Sequence, residues 1–214
     1  MRGWLLFLYA ALPRPCPPLR AQTAAGKCFW HGFNAKYKKR TKPPKKGTIV
    51  STHKGGISMI TIRKALATDA PRLEELYVEL ENDGVFYQPQ HFVMSPAGSR
   101  TKQVEEILSH DNQTILVAED DGVVIGFAHL MVLHSKAVPC LKPESTVYLQ
   151  DLVVTEAYRS RGIGTQMMDA IKEYGKAQGV DFLRTQVFPG NTDGMRYYER
   201  NGFAETMKTI ECPL

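Results

Sequence analysis

Two short stretches carry residue types and spacings that could do chemistry. The first is Arg159-Ser160-Arg161-Gly162-Ile163-Gly164-Thr165, where a β-rich run leads through a basic, glycine-containing turn into a helical pattern. Glycines there let the backbone approach a ligand closely, consecutive N–H groups converge, and a helix N-terminus adds its positive end, which together suit an anion. Arg159 and Arg161 can add charge-assisted bonds to phosphate oxygens. The turn lacks the third glycine of a dinucleotide fingerprint, since Met167 stands there, and no Lys-Ser/Thr follows as in a triphosphate-binding loop. Alone, it reads equally as a glycine turn packed on a strand. The second stretch, Asn191-Thr-Asp-Gly194-Met-Arg-Tyr197-Tyr198-Glu-Arg-Asn-Gly202-Phe203, follows one strand later. It offers an amide, and a phenol that stays protonated at neutral pH.

The elements that must position these groups begin at Met59. Met59 to Lys64 reads as a strand, and Thr68 or Asp69 can cap a helix from Ala70 to about Leu80 with apolar Leu73, Leu76, Tyr77 and Leu80 at helical spacing. Glu81 to Gly98 reads as a loop, followed by a helix over Arg100 to His110. Thr114 to Glu119 and Val123 to Leu133 are β-rich runs joined by Asp120-Asp121-Gly122, which predicts an antiparallel hairpin because Asp-Gly tolerates positive φ. Ser145 to Val154 is a further strand, Gly162 to Gln178 a helix stopped by Gly179, and Phe182 to Phe188 a strand. Thr192 to Arg200 reads as a short helix and Phe203 to Ile210 as a final strand. The pattern is a mixed α/β domain spanning 59–214.

Charge divides the chain at the same place. Residues 1–58 hold 12 Lys and Arg and no acid, whereas 59–214 hold 15 basic and 22 acidic residues, a net of −7. The overall +5 therefore comes from a basic extension, and the domain itself shows no nucleic-acid signature. The extension is proline-rich, lacks periodicity and is expected to be disordered. Three readings of it compete: a secretory or organelle leader, a basic tail for an anionic surface, or sequence upstream of the true start. For the last, Lys54-Gly55-Gly56 can be encoded by a purine-rich ribosome-binding signal just before Met59, which is then the expected start. No apolar run approaches the roughly 20 residues of a membrane span. Cys16, Cys28, Cys140 and Cys212 have neither metal-binding nor disulfide-framework spacing. His129 and His134 fall on opposite faces of one strand, so no metal site is expected.

The Arg-x-x-Gly-x-Gly turn after a strand, followed by Asn-x-x-Gly-x-x-x-Tyr-Glu-x-x-Gly-Phe on a later helix, resembles the GCN5-related N-acetyltransferase (GNAT) family. The likeness is dense from Tyr148 to Phe203, and the element order agrees from Met59 to Ile210. The resemblance implies a mostly antiparallel central sheet flanked by helices, with acetyl-CoA as co-substrate and no metal. It further implies that backbone groups of Leu152, Val153 and Val154 pair with the pantetheine arm where two strands splay apart. Arg159, Ser160, Arg161, Gly162, Ile163, Gly164 and Thr165 would hold the pyrophosphate, Asn191 the pantetheine amides, and Tyr198 would lie near the thioester sulfur. Gly194 stands where the family often has Ala.

A primary amine must be neutral to attack a thioester, and the departing thiolate needs a proton. Tyr198 suits the acid role, its alternative being a core aromatic. Asp151 is either the base or a structural carboxylate at a strand bulge. The Tyr-Leu-x-Asp-Leu context resembles the diamine acetyltransferase branch, but Gln150 stands where that branch has Glu, which leaves the base and a polyamine substrate open. Glu79, Glu81 and Asp83 either attract a cationic amine or form a solvated face, and Tyr87, His91 and Phe92 could line an acceptor pocket. The expectation is a cytoplasmic, bacterial N-acetyltransferase acting by direct attack on a small-molecule amine or Lys-containing peptide. It has no nucleic-acid or membrane partner, and the last strand and the 134–144 loop could support a homodimer. The alternative is a non-catalytic acyl-CoA-binding sensor.

Overall fold

The computed structural model describes residues 60–135 and 139–213; the expectations for 1–58 and for a start at Met59 lie outside them. Five strands form one sheet in the order β1-β2-β3-β4-β5: β1 Thr61–Lys64, β2 Gln113–Asp120, β3 Val123–His134, β4 Ser145–Val154 and β5 Phe182–Arg184. All neighbouring pairs are antiparallel except β4 with β5, which is parallel. Helices α1 (Ala70–Tyr87), α2 (Ser99–Ser109), α3 (Ile163–Gln178) and α4 (Thr192–Arg200) flank it.

The β2–β3 hairpin turns at Asp121 and Gly122 with φ of 46° and 80°, both left-handed, as a two-residue turn matched to strand twist requires. Leu73, Leu76, Tyr77 and Leu80 of α1 are buried, and so are Met167, Met168 and Ile171 of α3. Burying each of these apolar side chains contributes roughly 1.5–3 kcal/mol, so helix–sheet packing outweighs the modest propensity of the helices.

Three expectations need correction. Helix α1 does not stop near Leu80 but runs to Tyr87, because Glu81 is satisfied rather than solvated. Its carboxylate accepts from Arg100 Nε (2.6 Å), Ser95 Oγ (2.6 Å) and Ser95 N–H (2.8 Å), and it is 1% exposed. Strand β5 spans three residues instead of seven, since Thr185 turns its hydroxyl onto Leu149 O (2.9 Å) and the chain leaves the ladder. Residues 203–210 form no strand; Met207 and Ile210 are exposed, and this stretch forms no pairing with the sheet among the described residues.

Candidate active site

The site is built where β4 and β5 part. Their ladder ends at Tyr148↔Arg184, so Leu149 to Val154 continue without a strand on the β5 side. Thr155 N–H donates to Ile125 O at 2.8 Å. Alternation then turns the N–H and C=O of Val153 toward β3 and those of Leu152 and Val154 toward the open edge. Val154 O is engaged there by Arg159 Nε at 2.8 Å. Gly126, opposite Val154, lets β3 come this close: a Cβ at 126 would lie 2.6 Å from Val153 O.

Past β4, a short 3-10 turn at Glu156–Tyr158 leads into the basic turn. Ser160 and Gly162 have φ of 62° and 79°, and this left-handed alternation points successive N–H groups to one side. The N–H groups of Ser160, Arg161, Gly162, Ile163 and Gly164 donate to no acceptor among the described residues, whereas Thr165 and Gln166 N–H already return to Gly162 O (both 3.1 Å). The Arg161 guanidinium lies over the Tyr158 ring, 5.0 Å from its centroid. Arg159 is held away from the turn's rim by Val154 O and by Glu79, whose carboxylate lies 3.6 Å from its guanidinium. Glu79 also accepts from Thr155 Oγ1 (2.6 Å) and Glu156 N–H (3.3 Å), so it braces the cofactor-side turn and does not face the acceptor loop.

Helix α4 presents the second motif. Asn191 Oδ1 caps it by accepting from Gly194 N–H (3.1 Å), while Asn191 Nδ2 is buried without a hydrogen-bond partner. An amide donor in that state fits a ligand carbonyl, because a buried N–H left unpaired costs about 1–3 kcal/mol. Tyr198 is buried, packs edge-on against Tyr197 and Phe203, and has its phenol pKa raised, first by burial and further by the charge of Asp151 and by Tyr148. Tyr197, which the motif reading left without a role, donates from Oη to Gly164 O at 2.6 Å and packs on the glycine's open face.

Asp151 is buried on the far side of a β-bulge. His129 pairs with Asp151 and Leu130 with Leu149, so Gln150 is the extra residue and simple alternation of side chains does not hold across it. The Asp151 carboxylate meets Tyr77 Oη at 3.4 Å and His129 Nδ1 at 3.3 Å. Gln150 Oε1 and Tyr148 Oη are buried without hydrogen-bond partners, and burial, with the charge of Asp151, pushes the Tyr148 phenol up to about 12.

Next to Asn191 stands an aromatic wall. Tyr87 stacks on Phe188 at 5.9 Å, Phe92 meets Phe188 edge-on at 5.5 Å, and Gly190 passes against Tyr87 with 3.5 Å left for a Cβ. His91 pairs with Glu211 at 3.0 Å instead of lining the wall, and His134 pairs with Ser145 Oγ at 2.8 Å. Phe188 was not singled out in sequence, since nothing local distinguishes it from the end of a strand.

The sequence model of the acetyltransferase (GNAT) family matches residues 65–203, which include the splay, the basic turn and α4. The chain belongs to the GNAT acetyltransferase family. This acyltransferase is 31% identical over 106 residues to the aminoglycoside N(6')-acetyltransferase type 1 of Salmonella typhimurium, covering 50% of this chain and 72% of that one. Its fold is similar to a mutant of the BH1408 protein from Bacillus halodurans, with a TM-score of 0.68, 25% identity, and 72% and 98% of the two chains covered. It is also similar to the aminoglycoside N-acetyltransferase AAC(6')-Iy in complex with CoA, with a TM-score of 0.58, 26% identity, and 73% and 95% covered. Among the described residues, no helix is long and apolar enough to cross a membrane.

Proposed function

We propose that the protein transfers an acetyl group from acetyl-CoA to a primary amine by direct attack, with an amino-sugar antibiotic of the aminoglycoside type as the acceptor class. The observation that carries the reading is Asn191, whose Nδ2 is buried without a hydrogen-bond partner at the start of α4. Acetyl-CoA supplies an activated acyl thioester. The chain's own residues bind and orient it: Leu152 N–H and C=O and Val154 N–H offer strand-like pairing, Asn191 Nδ2 donates to an amide carbonyl, and the N–H groups of 160–164 with Arg161 take the pyrophosphate. Val153 holds β4 to β3, and Thr165 and Arg159 brace the turn from within.

Two side chains handle protons. Tyr198 keeps its proton at any physiological pH because burial disfavours the phenolate, so it enters the reaction protonated and can give that proton to the departing thiolate. Asp151 takes the amine's proton in this reading, which its contacts with His129 and Tyr77 and its charge on Tyr148 and Tyr198 support. The domain's net charge of −7 favours a cationic acceptor, and the Tyr87–Phe188–Phe92 wall suits the apolar face of a sugar ring. The similarity to proteins named as aminoglycoside acetyltransferases supports that class over polyamines and Lys-containing peptides.

The test is thiol release by the full chain with acetyl-CoA over aminoglycosides, polyamines, amino acids and Lys-containing peptides, with Asn191→Ala alongside. Turnover on aminoglycosides, with a several-fold higher KM for acetyl-CoA in Asn191→Ala, is the expected result. Acetyl-CoA binding without turnover on any amine would sink the enzyme reading in favour of a sensor.

A further inference from the structure

His129 and Asp151 are the last pair of the β3–β4 ladder before the bulge at Gln150. Asp151 sits directly across from His129, and both are about 5% exposed. His129 Nδ1 lies 3.3 Å from Asp151 Oδ2, while its Nε2 lies 2.8 Å from Gln113 Oε1, an amide oxygen that only accepts. Nε2 therefore carries the ring hydrogen. Nδ1 then faces the carboxylate either as a bare lone pair or with a proton shared between the two. Tyr77 Oη, which points at the same Asp151 oxygen from 3.4 Å, supplies one hydrogen but does not fill the gap between Nδ1 and Oδ2. Gln113 is the first residue of β2 and is only half-buried, so the far end of this chain of contacts reaches the protein surface.

We propose that His129 is the positioning residue behind the base, so that Asp151 and His129 take up and release the amine's proton as one pair. As the acceptor's nitrogen forms its bond to the acetyl carbon, its proton goes to the pair and rests between Oδ2 and Nδ1. After the product leaves, the proton passes from the Oδ2–Nδ1 site to water while Nε2 keeps its own hydrogen on Gln113, which restores the pair with no oxidant or other co-reactant involved. Gln150 leaves the pair to do this work, because its neutral amide cannot take a proton at the neighbouring position. The groups that surround the pair are Tyr77 and, across its ring, Arg100 with its partner Glu81 on the helix side. Tyr148 and Tyr198 also feel the charge of Asp151. The inference rests on the reading of Asp151 as the base.

The experiment is kcat/KM against pH for the full chain on its best amine, in wild type, His129→Gln and Asp151→Asn. It is accompanied by ¹⁵N NMR of the His129 ring in protein without substrate. His129→Gln is expected to move the acid limb of the profile by at least about one pH unit and to lower kcat about tenfold. Asp151→Asn removes that limb and lowers kcat about a hundredfold. An unmoved acid limb in a folded His129→Gln, with Asp151→Asn still crippled, overturns the pair while leaving Asp151 as the base. A wild-type profile in Asp151→Asn overturns the base reading itself. Should His129→Gln not fold, the ring signals decide: Nε2 protonated throughout, with Nδ1 gaining its proton in a titration that Asp151→Asn shifts, is the expected pattern, and an unprotonated Nε2 overturns the proposal.

Discussion

The hydroxyl of Tyr197 donates to the carbonyl of Gly164 at 2.6 Å, tying the motif on α4 to the first turn of α3, 33 residues away. Two stretches recognisable separately in the sequence are thus one mechanical unit. Gly164 is needed as much for this docking as for an anion, since its would-be Cβ lies 3.4 Å from the Tyr197 ring.

Replacing Tyr197 by Phe keeps the ring and removes the bond. The expected loss is about 1 kcal/mol of unfolding free energy, measured by urea titration. A several-fold weaker affinity for acetyl-CoA, read by calorimetry, accompanies it because the turn loses its brace. Unchanged affinity at reduced stability would separate the tie from the turn.

Gly126→Ala places a methyl against Val153 O, a backbone atom with little room to yield. The strand carrying Leu152 and Val154 must shift, so KM for acetyl-CoA rises and thermal stability falls. Ala at Gly122 fills open space but meets a φ of 80°, and it should cost about 1 kcal/mol of stability without moving KM.

Tyr198→Phe should lower kcat at least tenfold, about 1.4 kcal/mol of barrier, with KM for acetyl-CoA nearly unchanged. Since burial raises the Tyr198 pKa, any alkaline loss of activity below pH 10 belongs to another group, and the variant's residual activity should keep the same alkaline limb. Ultraviolet titration of the folded protein should show Tyr148 ionising near 12.

Asp69 gives the fold an acid limit. Its carboxylate accepts from Arg63 and from Leu66 N–H (2.7 Å), and the Arg63 hydrogen bond lowers its pKa. A carboxyl depressed in the folded state stabilises the protein above its unfolded pKa of about 3.9, and that contribution disappears as pH falls through the folded value. Asp69→Asn should therefore be less stable than wild type at neutral pH and approach it as pH falls through the lowered folded value. Parallel stability curves over the whole range would contradict the linkage.

Much of this was legible because it is local. The Asp121-Gly122 turn, the glycine turn after β4 and the Asn191 cap each depend on residues a few positions apart. Side-chain chemistry across long separations was not. Glu79, Glu81 and Asp83 look like one acidic face, yet Glu81 is neutralised by Arg100 from another helix and Glu79 braces a turn 76 residues on. The pairing of His129 with Asp151 was not legible either, because a bulge shifts the phase of one strand only and its position fixes which residues face each other. The strand expected over 203–210 does not form, since β5 ends too early to pair with it.

The short β4–β5 ladder has a consequence for how the protein endures in a cell. Three paired positions hold β5 to the sheet, and beyond them hydrogen-bonding capacity on Leu152 and Val154 is left for a diffusible molecule. A ligand that docks there acts as a borrowed strand, so the apparent melting temperature climbs with the logarithm of its concentration. Under the proposed reading, the lifetime of the folded protein would track the acetyl-CoA supply, and starvation would thin the enzyme's population before any dedicated regulator acted.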